Sequence, residues 1–325
     1  MIIVTGGAGF IGSNLIKKLN DEGVFDIIIA DSLGKNEGLA GKWRTLLGKR
    51  YRELIAKDAI VPFIDRHRSD ISAVIHLGAC SSTQEMDMDF LMGNNVRFSQ
   101  RIIEQCAEFG IRCLYASSAA TYGLGLQGFD DDPNLLSRLR PINPYGFSKH
   151  LVDLWVHDRG LQDSVCGLKF FNVYGPNEYH KGKMRSRILT AYSELLETGR
   201  IRLFKSTDPQ YPHGGQQRDF IYVRDCCDAL WWLLQNPSVQ GIFNVGTGAS
   251  RTWNDLANAM FAALELPSEI EYFDMPTSLV SGYQNFTEAT MTRLLAKGWP
   301  GAKTSLEEGV ADYVRNYLEC GSDIA

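Results

Sequence analysis

No apolar run in this chain approaches the roughly 18 residues that a membrane-crossing helix needs. A net charge of −5 leaves it without the basic surface that non-specific nucleic-acid binding wants. The chain start has no basic residues, and glycines follow its first short apolar run at once, so no secretory leader is expected. The cysteines (Cys80, Cys106, Cys113, Cys166, Cys226, Cys227 and Cys320) form no C-x-x-C pair, and the histidines are scattered, so no metal site is expected. An odd number of thiols without a leader reads as a reduced, cytoplasmic protein. Internal repeats and low-complexity tails are missing too.

What is present is a 325-residue chain, 44% hydrophobic and 22% charged, enough for a sizeable core in one large domain or two ordinary ones. Apolar strands are expected at 2–5, 27–31, 73–77, 112–116 and 165–171. Helical spacing lies between them, at 11–22, about 95–109 and from Tyr145 onward. Strands alternating with helices predict an α/β fold of Rossmann type, a doubly wound parallel sheet covered on both faces. Beyond about 176 the pattern loosens. Helices are expected near 186–198, 224–235, 253–264 and 304–318, and strands at 201–204 and 241–245. The expected plan is a nucleotide-binding domain over 1–176, to which segments around 219–248 return, and a smaller α/β substrate-binding part over 177–325.

"VTGGAGFIGSN" places Gly6, Gly9 and Gly12 between the first strand and the first helix, the setting a dinucleotide fingerprint requires. Glycine permits the tight turn, lets backbone amides approach a pyrophosphate and lets the helix pack close. The spacing is G-x-x-G-x-x-G. Asp31 ends the second strand, where a carboxylate can bind a ribose 2′-hydroxyl and would repel a 2′-phosphate. Yet Lys35, Lys42, Arg44, Lys49, Arg50, Arg52 and Lys57 follow closely, and one cation is enough to accommodate that phosphate. The residues alone leave NAD and NADP open.

"YASSAATYG" follows the fourth predicted strand and "PYGFSKH" opens the next helix. Tyr145 and Lys149 are four apart and so share a helix face. Oxidation of a secondary alcohol needs a base for the hydroxyl proton. Free tyrosine, with a pKa of about 10, is a poor one near neutrality, and a neighbouring ammonium favours the phenolate. Lys149 can also hold the nicotinamide ribose, and Ser117 or Ser118 can donate to the reacting oxygen. A lone Y-x-x-x-K is a weak signal; the glycine motif and the upstream serines make this one specific. The stretch "NEYHKGKMRS", Asn177 to Ser186, holds two lysines, an arginine and a histidine. It reads either as a solvated basic loop or as part of the chemistry.

On these motifs the chain resembles the extended short-chain dehydrogenase/reductase family that acts on nucleotide sugars. Within that family it is similar to the heptose 6-epimerases nearly end to end. The stretches that carry the likeness are "MIIVTGGAGFIGSN", "GACSST", "LYASSAATYG", "FFNVYGPNEYHKGKM", "RDFIYVRD", "GIFNVGTG" and "GYQNFT", of which "GACSST" and "NVYGPNEYHKG" are the selective ones. The resemblance implies an isomerase with bound NADP and no net redox change. Hydride leaves carbon 6 of an ADP-heptose, the 6-keto species presents its other face, and the hydride returns. Lys181 then matches a second acid/base group opposite Tyr145.

By the same likeness Phe10 and Ile11 lie at the glycine turn and Asp31 and Ser32 meet the adenosine ribose. Lys57 and Lys42 are the candidates for the 2′-phosphate. Leu77, Gly78, Ala79, Cys80 and Ser81 line the cofactor with Asn94 and Val173. Asn172, Lys183 and Thr190 fall at substrate positions, Arg202, Leu203, Phe204 and Lys205 flank the adenine, and Arg218 and Tyr283 hold the diphosphate. Some relatives carry Ser and His where positions 183 and 190 here are Lys and Thr. The likeness further implies a cytoplasmic homo-oligomer, such as a pentamer, supplying heptose for lipopolysaccharide. Other epimerases or reductases of the family, on UDP- or GDP-hexoses, are the alternative. A 4,6-dehydratase is disfavoured because its acid pair would stand where Ala119 and Ala120 are. A cofactor-binding regulator without turnover would tend to have lost Tyr145 or Lys149.

Overall fold

The computed structural model describes residues 1–34, 41–280 and 282–321, apart from the side chains of Lys183 and Ser278. Lys35 lies outside the described residues. Strands β1 (Ile2–Thr5), β2 (Ile27–Asp31), β3 (Glu53–Ala56), β4 (Ala73–His76), β5 (Arg112–Ser118) and β6 (Val165–Phe170) alternate with helices. Short strands β7 (Asn172–Tyr174), β8 (Ile201–Phe204), β9 (Gln217–Arg218) and β10 (Phe220–Tyr222) follow, then β11 (Gly241–Val245), β12 (Arg251–Thr252) and β13 (Ile270–Phe273).

One seven-stranded parallel sheet runs in the order β11-β6-β5-β4-β1-β2-β3, with helices on both faces. Its strands are continuous apolar runs because both faces are covered: Ile3, Val4, Ile28, Ile75, Leu114, Leu168 and Phe243 are fully buried. The strand order reverses between β1 and β4, and the crevice at the carboxyl ends of these strands is where such sheets bind ligands. Three two-stranded pairs build the remainder: β7 with β10, β9 with β12, and β8 with β13. β11, late in the chain, closes the edge of the main sheet beside β6.

The predicted strands and helices are present within a residue or two at most boundaries. Two helices are more irregular than expected. The segment predicted as helical from 95 begins as a wider π turn over Met92–Arg97 before the helix Phe98–Glu108, and the last helix, Leu306–Tyr313, continues into another π turn over Val314–Leu318. Among the described residues no helix is long and apolar enough to cross a membrane, and no group of histidine, cysteine or acidic residues is arranged to hold a metal.

Candidate active site

The turn after β1 is built for close approach. Gly6 has a φ of +68°, and a side chain there would meet the backbone of Gly78 at 2.7 Å. At Gly12 a side chain would sit 2.2 Å from the Gly6 carbonyl. The helix Phe10–Asp21 starts at Gly9 without a side-chain cap, which leaves its first N–H groups available to an anion. This cradle opens on a cavity of about 800 Å³ along the carboxyl ends of the central strands. The glycines, the uncapped helix start and Asp31 at the end of β2 together fit a nicotinamide dinucleotide. Every residue assigned above to the dinucleotide borders the cavity.

Asp31 is not a free acceptor. One carboxylate oxygen accepts the Ala8 N–H at 2.8 Å. The other accepts the Ser32 N–H at 2.7 Å and pairs with Lys42 Nζ at 2.5 Å. Lys57 donates to Asn94 at 2.7 Å, on the wall formed by the π turn. The carboxylate that would repel a 2′-phosphate is therefore already matched by a cation, and a second cation stands on the same cavity.

Tyr145 and Lys149 lie on the helix Pro144–Asp158, which Pro144 and the Asn143 side chain start at a fixed place. Lys149 is buried and donates to the Ala116 carbonyl at 2.9 Å. Burial pushes its pKa down to about 8, with Asp153 acting the other way. Tyr145 opens partly on the cavity. Burial nevertheless pushes its phenol above the ordinary value, and a hydrogen bond with Ser118 is the main opposing influence. Desolvation is thus the largest influence on the Tyr145 phenol, and the hydroxyl that favours its ionised form belongs to Ser118.

The structure also separates the two serines. They are neighbours on β5 and so point to opposite faces. Ser118 meets Tyr145, whereas the Ser117 hydroxyl donates to Asp153 at 2.6 Å. Asp153 is fully buried, pairs with the equally buried Lys169 at 2.6 Å and accepts from Tyr115 at 3.1 Å. This charged cluster behind β5 has no signal in the sequence, because "VCGLKFF" reads as an apolar run with one lysine inside it. Both serines border the cavity, but the Ser117 hydroxyl is engaged by Asp153, which leaves Ser118 the better placed of the two for the chemistry.

Lys181 reaches the same cavity from the loop after β7. Its Nζ sits 4.9 Å from the centroid of the Phe10 ring, directly beside the glycine turn. Burial lowers its pKa, and Glu178 opposes that shift. The loop is anchored to the cradle itself. Asn177 takes a left-handed backbone, φ +74°, and donates to Ser13 at 2.9 Å, while Asn14 donates to the Pro176 carbonyl at 2.9 Å. Asparagine tolerates that conformation better than most side chains.

The expected substrate residues divide. Asn172 borders the cavity. Arg218, Tyr283 and Phe204 cluster around Trp253, which also borders it. The Arg218 guanidinium lies 5.7 Å from the Trp253 ring and 5.2 Å from that of Tyr283, and Trp253 donates to the Tyr283 hydroxyl at 3.0 Å. Phe204 meets Tyr283 edge-on at 6.2 Å. Trp253 is a site residue that no sequence motif announced. The rest of the β8 segment is engaged elsewhere: Arg202 with Glu271, Lys205 with Asp274, and Leu203 in the core. Thr190 lies away from the cavity wall and donates to the backbone of its own helix, whereas Ser186 and Arg187, one turn earlier, border the cavity. The Lys183 side chain lies outside the described residues.

Comparisons agree with this arrangement. Residues 2–246 match the model of the NAD dependent epimerase/dehydratase family. The chain is 53% identical over 321 residues to the ADP-L-glycero-D-manno-heptose-6-epimerase of Nitratidesulfovibrio vulgaris strain Hildenborough, covering 98% of each chain. It is 44% identical over 329 residues to the enzyme of that name from Fusobacterium nucleatum, again with 98% of each covered. Among solved structures it resembles the Helicobacter pylori ADP-L-glycero-D-manno-heptose-6-epimerase, with a TM-score of 0.79 and 27% identity over 97% of this chain and 95% of that one. It also resembles MoeE5 in complex with UDP-glucose and NAD, with a TM-score of 0.75 and 26% identity over 99% of both chains. The chain belongs to the NAD dependent epimerase/dehydratase family, in its ADP-L-glycero-D-manno-heptose-6-epimerase branch.

Proposed function

We propose that this isomerase interconverts ADP-D-glycero-D-manno-heptose and ADP-L-glycero-D-manno-heptose by transient oxidation at carbon 6, with Tyr145 and Lys181 as its two acid/base groups and NADP as its resident dinucleotide. The observation that carries the reading is that Tyr145 and Lys181, from two separate elements, border one cavity with the glycine cradle. The glycine cradle, Asp31 and Lys149 would hold the dinucleotide, whose nicotinamide would supply reversible hydride acceptance from carbon 6. The chain's own residues handle the proton. Tyr145 Oη, with Ser118 beside it, takes or returns the hydroxyl proton on one face. Lys181 Nζ does so on the other, after the ketone has turned. Lys149 keeps the cofactor ribose and the Tyr145 helix in register. Arg218 and Tyr283, with Trp253 between the cluster and the cavity, hold the ADP portion. A homo-oligomer acting in the cytoplasm and feeding lipopolysaccharide synthesis is the setting this activity suits.

The test is incubation of the purified protein with ADP-D-glycero-D-manno-heptose and no added cofactor, followed by NMR of the carbon-6 configuration. Appearance of the L-glycero epimer is expected. No conversion even with NADP supplied would move the assignment to another nucleotide sugar, starting with UDP- and GDP-hexoses.

The Asp31–Lys42 pair supports the reading of NADP. With its charge matched, Asp31 no longer excludes a 2′-phosphate, and Lys57 adds attraction. NADP is expected to bind at least about ten-fold more tightly than NAD, or about 1.4 kcal/mol, when both affinities are measured on stripped protein. Tighter binding of NAD would end the NADP assignment and leave the rest of the mechanism in place.

A further inference from the structure

The loop carrying Lys181 is closed on itself by a carboxylate that nothing above has used. Glu178 is fully buried. One of its oxygens accepts the Ser186 N–H at 2.6 Å and the other the Ser186 hydroxyl at 2.5 Å. The Tyr313 side chain, at the end of the helix Leu306–Tyr313, also favours its ionised form. The Glu178 carbonyl accepts the Lys181 N–H at 3.0 Å, so backbone and side chain of one residue fix both the lysine and the far end of its loop.

Helix capping does not account for the carboxylate. Ser186 caps the helix Arg187–Thr198 itself, through Leu189. A carboxylate removed from water is strongly destabilising unless a cation answers it. Among the described side chains of this loop, Lys181 is the cation whose charge acts on Glu178, and Glu178 acts on Lys181 in return.

We propose that Glu178 is the positioning residue of the second acid/base group: its carboxylate ties the loop to Ser186 and holds Lys181 as an ammonium at the cavity wall. This rests on the role given to Lys181 above. The other groups around Lys181 do not supply that counter-charge. His180, on the same loop, feels Lys181 and Lys42 as neighbouring positive charges. Asp31 is engaged by Lys42, and Arg185 donates to the Tyr179 carbonyl at 2.7 Å. Tyr145 and Lys149 border the cavity from their own helix, and Phe10 offers only its ring face. Among the described residues Glu178 is the carboxylate whose charge acts on Lys181. Without it, burial drives the amine towards the neutral form, which cannot serve as an acid.

The experiment is trace acylation of lysines with acetic anhydride across a pH series, read by mass spectrometry on the Lys181 peptide. The plateau rate reports access and the midpoint reports charge. In Glu178→Gln the midpoint is expected to move to lower pH, so that labelling near pH 8, relative to plateau, becomes about three-fold or more faster. The pH profile of kcat should move with it, and kcat should fall about ten-fold while KM stays within about two-fold. A support that only shapes the loop would lower thermal stability and leave the midpoint in place.

Coupling between charges is reciprocal. Lys181→Met should therefore raise the Glu178 carboxyl pKa, read by NMR on glutamate-labelled protein, and this arm decides the matter if Glu178→Gln does not fold. An unmoved Lys181 midpoint, or an unmoved Glu178 carboxyl in Lys181→Met, overturns the proposal. A moved midpoint in Glu178→Gln beside undiminished epimerisation in Lys181→Met upholds the pairing and removes Lys181 from the chemistry, so the two readings fail separately.

Discussion

Replacing Tyr145 by phenylalanine is expected to slow epimerisation by about 10³-fold, near 4 kcal/mol of barrier, while dinucleotide affinity stays within about three-fold of wild type. The phenylalanine keeps the ring and the cavity wall, and only the proton carrier is lost. The loss should be large because the hydroxyl works against its surroundings. Burial disfavours the phenolate, and a hydrogen bond with Ser118 is the chief group favouring it. No other hydroxyl on that helix face can take over, since the nearest, Ser148, donates to the Tyr145 carbonyl at 2.7 Å. Single-turnover conversion followed by NMR, with retained cofactor measured on the same sample, checks this. Near-normal turnover would remove Tyr145 from the chemistry. Loss of cofactor together with turnover would mean that the variant reports folding.

Lys181→Met should have an effect of similar size and a different character. Epimerisation is expected to fall by about 10²- to 10³-fold, yet one epimer should still reduce the bound nicotinamide, because Tyr145 serves its face unaided. Methionine is close in length and can keep contact with the Phe10 ring that Lys181 Nζ approaches at 4.9 Å. The cofactor pocket should therefore survive. The check is nicotinamide absorbance after mixing with each epimer in turn. A signal from one epimer only, with no inversion, is the expected pattern. Wild-type inversion would refute the two-group mechanism.

Much of this site could be read before the structure because its chemistry is local. The glycine turn, Asp31, and the Tyr145–Lys149 pair each lie within one strand end or one helical turn, where spacing dictates geometry. The choice between Ser117 and Ser118 was within reach too, since adjacent strand residues face opposite ways. Other features had no local signal. β3 is a short, half-exposed edge strand with no apolar alternation to mark it, and the helix Ile60–His67 behind it was likewise missed. β13 is equally exposed and is held by pairing with β8, some 70 residues away in the chain. The Arg218–Trp253–Tyr283 cluster gathers three separate segments, so only packing brings it together. Burial, which pushes the Tyr145 phenol up, is a property of the folded surroundings that the four-residue spacing does not carry.

Two hydrogen bonds, from Asn177 to Ser13 and from Asn14 to the Pro176 carbonyl, join the first helix to the loop that carries Lys181. Local opening of the helix that starts at the glycine turn is therefore coupled to opening of that loop. Whatever ordering the cofactor imposes on the first is passed to the second as slower local opening. Removal of the dinucleotide is therefore expected to speed amide exchange in the Lys181 loop as well as at the glycine turn.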